Sequence, residues 1–448
     1  MAKEPGHQRE GSINAPTRHP IKWRDPEYRD EGALFAEMDR IFDICHGCRR
    51  CFSLCNAFPT LFDAIDDSET MELDGVDRQV YWEVVDHCYL CDMCYMSKCP
   101  YVPPHEWNVD FPHLMLRAKA FRHGKGEMST RDRLLSATDM VGKLAGIPVV
   151  SRAVNAVNRS RPARRLMEKV GRIHADAWLP EYHSKTLQKR LRGRERPRLK
   201  PVETDETRGQ VALFTTCYGN YNEPELGEDL VAVFEHNGIP VEAVPGTRCC
   251  AMPKLENGDL ESVEQAKAFN IPKLIEWLDR GYDIVAPVPS CVLMFKQELP
   301  LMFPDDGDVA MVAERIFDPF QYLMLRHKAG HLKTDFQRSL GTVSYHVPCH
   351  LRVQNIGMKT RDLLKLVPDT RVLPVERCSG HDGTYAVKRE FHETSMKIGR
   401  PVVNRVAKAE ADYYSSDCPM AGHQIQNGLR DKSEPAHPLK LLRMAYGL

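Results

Sequence analysis

Residues 45–55 read Cys-His-Gly-Cys-Arg-Arg-Cys-Phe-Ser-Leu-Cys, and residues 88–100 read Cys-Tyr-Leu-Cys-Asp-Met-Cys-Tyr-Met-Ser-Lys-Cys-Pro. The first stretch sets Cys45, Cys48, Cys51 and Cys55 in a C-x2-C-x2-C-x3-C run. The second sets Cys88, Cys91, Cys94 and Cys99 in the same run with one extra residue before the last cysteine, followed by Pro100. The chain has 448 residues and 15 cysteines; the others are Cys217, Cys249, Cys250, Cys291, Cys349, Cys378 and Cys418. The first ten residues have no apolar core, so no signal peptide is expected and a cytoplasmic location is. An odd cysteine count in that compartment argues against a disulfide framework, and clustered thiols there hold metal or carry redox chemistry.

Three cysteines two residues apart, with a fourth a turn further on, resemble the bacterial ferredoxin pattern. In that pattern three thiolates wrap one corner of a cubane and the fourth crosses to the other cluster. The resemblance implies one [4Fe-4S] cluster on Cys45, Cys48, Cys51 and Cys99, and a second on Cys88, Cys91, Cys94 and Cys55. Zinc also takes four thiolates, but its sites show two C-x2-C pairs, which fits three consecutive short steps poorly. The 32 residues between Cys55 and Cys88 form a longer insert than a minimal ferredoxin carries. Leu61, Phe62 and Ile65 have helical spacing there, so the clusters are expected between helices. Asp63, Asp66, Asp67, Glu69, Glu72, Asp74 and Asp77 make its middle acidic, either a solvated surface or a patch that steers a basic partner.

Apolar residues are 42% and charged residues 27% of the chain, which are globular values. A formal charge of −1 excludes a bulk nucleic-acid binder. The longest apolar runs, such as 285–289, are far short of the ~20 residues of a spanning helix. Residues 1–30 are polar and rich in proline, expected as a tail or extended arm. Residues 31–110 hold the two cysteine runs. Residues 111–207 form a basic connector; 111–200 contain 22 Lys and Arg against 7 Asp and Glu. Within it Leu134–Val157 is more apolar, and Gly146 and Pro148 should split it into two short helices. A basic amphipathic hairpin of this kind lies on an anionic membrane, docks on an acidic subunit, or packs on its own protein.

From residue 208 strands and helices alternate. Val211–Thr215, Val241–Val244 and Asp283–Pro287 read as strands that lead to Cys217, Cys249–Cys250 and Cys291. Gly227–His236 reads as a helix, and Leu260–Leu278 as a helix broken at Pro272. The layout recurs: strands Val343–Val347, Arg371–Val375 and Asp412–Ser415 lead to Cys349, Cys378 and Cys418, with helices at Arg361–Leu366 and Phe391–Ala409. Each cysteine stands past the C-terminal end of a strand, where open α/β sheets gather their ligand sites. Two copies read as a duplication, residues 208–338 and 339–448. The expected fold class is α+β multidomain: an all-α ferredoxin-like domain, a helical connector, and two duplicated α/β domains.

Thr216-Cys217, the run Cys249-Cys-Ala-Met-Pro-Lys-Leu-Glu-Asn-Gly258, and later His346-Val-Pro-Cys349-His350 with Glu376-Arg-Cys378-Ser-Gly-His381 resemble the cysteine-rich CCG domain of heterodisulfide reductase subunits. The whole layout is similar to iron–sulfur subunits of the anaerobic glycerol-3-phosphate dehydrogenase type. The full CCG pattern supplies five cysteines per copy. Here Met294 stands at the last position of the first copy; Ser379 and Ala421 replace two cysteines of the second. The resemblance implies a third [4Fe-4S] cluster on Cys217, Cys249, Cys250 and Cys291. Cys349, Cys378 and Cys418 leave several readings open: a cluster with an open iron, a three-iron cluster, a metal completed by His350 or His381, or a vestigial site.

No G-x-G-x-x-G follows a strand, and no P-loop or haem attachment sequence is present, so neither flavin nor NAD is expected on this chain. The expected role is an electron-transfer subunit between a flavoprotein or other redox partner and a quinone-linked or protein acceptor, peripheral on the inner membrane face through residues 111–200. The alternative is a disulfide reductase working at a CCG cluster with an open coordination site.

Overall fold

The computed structural model describes residues 16–429, 431 and 433–448. The first half of the expected tail, residues 1–15, lies outside the described residues. The chain forms two compact units. Unit 1 is the chain up to Met128 together with two later excursions, Leu255–Leu260 and Leu301–Pro304. Unit 2 is the remainder.

Unit 1 is helical. Asp30 caps the helix Glu31–Cys48, its carboxylate accepting the Ala33 N–H at 2.7 Å. Asp77 and Asp110 do the same for Arg78–His87 and Phe111–Gly124. Each such cap contributes ~1 kcal/mol. Leu34, Phe35, Met38, Ile41 and Phe42 recur at helical spacing and are buried. The helix Ala57–Asp66 buries Phe58, Leu61, Phe62 and Ile65, and Phe58 packs on Phe111 with centroids 4.7 Å apart. Residues 16–30 run along this unit. Arg18 pairs with Asp92 at 2.7 Å and Asp110 at 3.1 Å, and Ile21 and Trp23 are buried. The Ile21 N–H donates to the Leu301 carbonyl and the Trp23 indole to that of Met302. Gly258 lies in the left-handed region at φ 74°, where a Cβ would stand 2.3 Å from the Ala120 nitrogen. Only glycine allows that backbone approach.

Unit 2 holds two small parallel sheets. Strands β1 (Val211–Leu213), β2 (Val241–Ala243), β3 (Asp283–Val285) and β4 (Ile316–Phe317) have the order β2-β1-β3-β4. Strands β5 (Thr342–His346), β6 (Arg371–Val375) and β7 (Tyr413–Ser416) have the order β6-β5-β7. In both sheets the first strand of the set is central, pairing in parallel with the second and third. Parallel pairing requires crossovers, and the intervening helices supply them. Strands β1 and β3 are shorter than their apolar runs suggested: past Leu213 and Val285 the chain leaves the sheet for the loops that lead to the cysteines. β4 and the helix Pro319–Lys328 after it had no counterpart among the expected elements.

Pro272 does not break its helix. Leu260–Asp279 is continuous, with Ile271, Leu274 and Leu278 buried on one side. That packing outweighs the ~3 kcal/mol cost of an internal proline. The connector divides into Thr130–Ser136, Thr138–Ala145, Pro148–Arg159 and Arg161–Gly171, so the helix does stop before Pro148.

Candidate metal centres

Cys45 and Cys48 occupy the last turn of the helix Glu31–Cys48, which ends on Arg49 in the left-handed region at φ 52°. Cys51 and Cys55 follow in the loop. Leu90 and Asp92, on either side of Cys91, are left-handed too, at φ 54° and 59°. Non-glycine residues in this region cost ~1–3 kcal/mol each and gather at functional sites. Here they turn the chain sharply enough for successive thiols to converge. Burial pushes the Cys45 thiol well up, and the neighbouring Cys51, Cys99 and Cys48 add to the shift. Cys51 is pushed up to about 12 and Cys99 to about 11, again chiefly by burial. Burial also raises Cys94, with Cys51, Cys88 and Cys55 among its neighbours. A pocket is lined by Cys55, Cys88, Cys91 and Cys94, walled by Leu54, Phe58, Tyr89 and Phe111. The structure thus brings Cys45 beside Cys48, Cys51 and Cys99, and gathers Cys55 with Cys88, Cys91 and Cys94. Protons are hard to remove from thiols so buried; a cation in their midst reverses that.

In unit 2, Cys217 opens a short helix after β1, Cys249 and Cys250 follow β2, and Cys291 lies in the first turn after β3. Cys217 Sγ lies 3.7 Å from Cys249 Sγ, and all four are free thiols. Thiol donors Cys217 and Cys250 hold Cys249 well below its usual pKa; Cys217 and Cys250 are themselves pushed well up. The Ala251 N–H points at Cys249 Sγ at 3.4 Å. Asp139 of the connector accepts the Cys249 N–H with both carboxylate oxygens, at 2.8 and 3.0 Å. Met294 is fully buried in the helical segment after Cys291, where the helix widens into a π-turn over Met294–Glu298. Such widened turns concentrate at functional sites.

The second set repeats these features with fewer thiols. The Gly380 N–H points at Cys378 Sγ at 3.3 Å, as Ala251 does at Cys249, and both donors have positive φ, 73° and 75°. A Cβ on Gly380 would meet the Ser395 carbonyl at 2.1 Å. Burial raises Cys349 well above its usual pKa, with Cys378, Asp382 and Cys418 as neighbours. Burial also lifts Cys418 to about 12. Ser379 and Ala421 are buried at the two positions without cysteine.

Four histidines surround this set, and their bonds separate them. His346 engages Ser416 Oγ and the Arg377 carbonyl, both at 2.9 Å. His423 engages Gln426 at 3.0 Å and Glu223 at 2.5 Å and stacks on Trp178. Neither has a nitrogen to spare. His350 meets Ser290 Oγ through Nδ1 at 2.8 Å. Among the described residues His381 Nε2 has no hydrogen-bond partner; the side chain is buried, and burial depresses its pKa to about 4. A neutral imidazole with an unused nitrogen is the form that ligates metal. Asp139 and Ser290 carry no local mark in the sequence, and Asp139 lies 110 residues from the cysteine it holds.

A cysteine-rich CCG domain model matches residues 211–296 and again 343–426. An anaerobic glycerol-3-phosphate dehydrogenase subunit from Escherichia coli K12 is 27% identical over 345 residues, 75% of this chain and 82% of that protein. A subunit of the fumarate reductase (CoM/CoB) of Methanothermobacter marburgensis is 23% identical over 420 residues, 89% of this chain and 72% of that protein. Lactate utilization protein A of Bacillus cytotoxicus is 33% identical over 217 residues, 47% of this chain and 87% of that protein. No described helix is long and apolar enough to cross a membrane.

Proposed function

The chain belongs to the cysteine-rich CCG domain family of iron–sulfur oxidoreductases, and we propose that within it this protein is an electron-transfer subunit. Two [4Fe-4S] clusters would sit in unit 1, on Cys45, Cys48, Cys51 and Cys99 and on Cys88, Cys91, Cys94 and Cys55. A third would sit in unit 2, on Cys217, Cys249, Cys250 and Cys291, in the first of two duplicated domains. Cys349, Cys378 and Cys418 would hold a further cluster or metal, with His350 or His381 as a fourth ligand. The single observation that carries this reading is the gathering of buried and half-buried, unbridged thiols in sets of four.

Such clusters, when bound, pass one electron at a time. The chain's own part is to hold and insulate them. Phe58, Tyr89 and Phe111 keep water from the pocket of Cys55, Cys88, Cys91 and Cys94. N–H groups of Ala251 and Gly380 aimed at sulfur stabilise the reduced, more negative state, and the Asp139 carboxylate opposes it. The partner in this reading is a flavin-containing dehydrogenase subunit or another redox protein. The acceptor is quinone-linked or a protein, and the site of action is the cytoplasmic face of the membrane. Two of the similar proteins are named as subunits of a dehydrogenase and a reductase, which supports a role inside a complex.

A second reading is a disulfide reductase acting at the second CCG set, where three thiols leave room for an open coordination position. Anaerobic iron and sulfide counting with EPR tests the first reading. Reduced viologen with a panel of disulfides separates the two: turnover by the isolated chain would favour the second, and its absence the first.

A further inference from the structure

The connector hairpin is built inside out. In the helix Pro148–Arg159 the uncharged polar residues face the protein: Ser151 is buried, and Asn155 exchanges hydrogen bonds with the Tyr182 backbone at 2.9 and 3.0 Å. Asn158 donates to the Pro180 carbonyl at 3.3 Å. On the opposite side Val149, Ala153, Ala156 and Val157 are exposed, Val149 by 76%. The helix Arg161–Gly171 repeats the inversion. Arg164 is the buried residue, donating to the carbonyls of His174, Ala175 and Ala177, while Leu166 and Val170 stand 62% and 79% exposed. Met140, Leu144 and Ile147 are exposed on the preceding turn as well. A surface helix ordinarily does the reverse, so this face is made for something other than water.

Charge says what. Between residues 138 and 171 there are only two carboxylates, and neither points outward with the apolar side chains: Asp139 holds the Cys249 N–H and Glu168 faces His174. Lys143, Arg152, Arg161, Arg165 and Lys169 are exposed among the apolar residues; Arg159 is paired with Glu181. Arginine apart, the centre of a protein–protein interface is depleted of charge, and lysines such as Lys143 and Lys169 are rare there. Here each apolar side chain has a long cation within a turn, the arrangement in which hydrocarbon enters a bilayer and the charge stays at the headgroups. We infer that this hairpin docks in the plane of an anionic lipid bilayer, with Leu144, Val149, Leu166 and Val170 as the inserted residues and the surrounding cations as the lipid-binding rim. The inference rests on the membrane location proposed above and gives it a surface; it does not depend on which clusters the cysteines hold.

The test is cosedimentation of the anaerobically purified full chain with vesicles of phosphatidylglycerol mixed into phosphatidylcholine, and with phosphatidylcholine alone. Iron content and EPR spectra of each variant are recorded in parallel. Binding to anionic vesicles is expected, weakened by salt. Leu166→Glu with Val170→Glu should lower it by about tenfold or more, and Arg161→Gln with Arg165→Gln should lower it and flatten the salt dependence. Unchanged iron and EPR in those variants would keep the cluster assignment apart from the outcome. No sedimentation of the native chain with anionic vesicles at low salt would overturn the inference. So would equal binding by both variants, or a hairpin that instead captures an acidic protein.

Discussion

The Ser290 hydroxyl and His350 Nδ1 are hydrogen-bonded at 2.8 Å, each one residue away from a cysteine, Cys291 and Cys349. Gln354 adds a second strap, donating to the Pro289 carbonyl at 3.1 Å and the His350 carbonyl at 2.9 Å. The two CCG cysteine loops are therefore fastened directly to each other, and a change at one should register at the other. Ser290→Ala removes this partner from a buried imidazole, at a cost of ~1–2 kcal/mol. A lower urea midpoint is expected together with altered EPR lines of both centres. An effect confined to the first would contradict the fastening.

Iron stoichiometry follows from the thiol sets. Three quartets predict about 12 irons per chain, since four thiolates serve each cubane, and more where Cys349, Cys378 and Cys418 hold a further iron centre. The triple change of Cys349, Cys378 and Cys418 to Ala should leave those three EPR signals in place. Colourless protein, or protein loaded with zinc, would remove the basis of the proposed function.

Ser379 stands beside Cys378 as Cys250 stands beside Cys249, and both are buried. Ser379→Cys should complete a fourth thiolate quartet and bring the count to about 16 irons. An unchanged count and spectrum would mean that the second set cannot accept a cubane even with its ligands restored.

Asp139 sets a negative charge against the Cys249 loop, and burial and the Cys249 thiol raise its own pKa. Asp139→Asn keeps an acceptor for the Cys249 N–H and removes the charge. The reduction potential of the first CCG centre should rise, on the order of tens of mV, because reduction then adds charge to a less negative site. Potentiometric EPR measures it; the unit 1 signals should not move.

His346 is fully buried and His437 partly so, and desolvation depresses both to about 4. On unfolding they return to ~6.5, so the unfolded chain binds more protons between those values. Their stabilisation is complete above pH ~6.5 and is lost as pH falls toward 4. The loss approaches ~1.4 kcal/mol per pH unit for each group as an upper figure. Urea melts at neutral pH and at pH ~5 should show the His437→Gln chain losing less stability in acid than the native chain, since its amide can still donate to the Asp417 carbonyl but takes up no proton on unfolding.

Strands β1 and β3 were legible as short apolar runs with a loop at their end, and β5, β6 and β7 as a recurrence of the same strand-then-cysteine layout. Arg371–Val375 was read to the residue. The helix boundaries beside Gly146 and Pro148 were legible for the same kind of local reason. Pro272 misled, because its signal is local and the packing of Ile271 and Leu274 that overrides it is not. The two-residue β4 was too short to carry a pattern. At the sites, cysteine spacing marked the thiols, but their supports lie far away in sequence: Asp139 for Cys249, Ser290 for His350, Ser395 against Gly380. Which of the histidines was already committed elsewhere depended on partners such as Glu223, 200 residues from His423.

Unit 1 draws on residues 301–304 to receive the Ile21 N–H and the Trp23 indole, and on Gly258 to lie against Ala120. A ribosome therefore releases both ferredoxin-type cysteine runs long before it has made the pieces that complete their surroundings. Assembly machinery meeting the nascent chain would find those eight thiols in an unfinished shell. An expression clone ending at Met128 would freeze the protein at that stage.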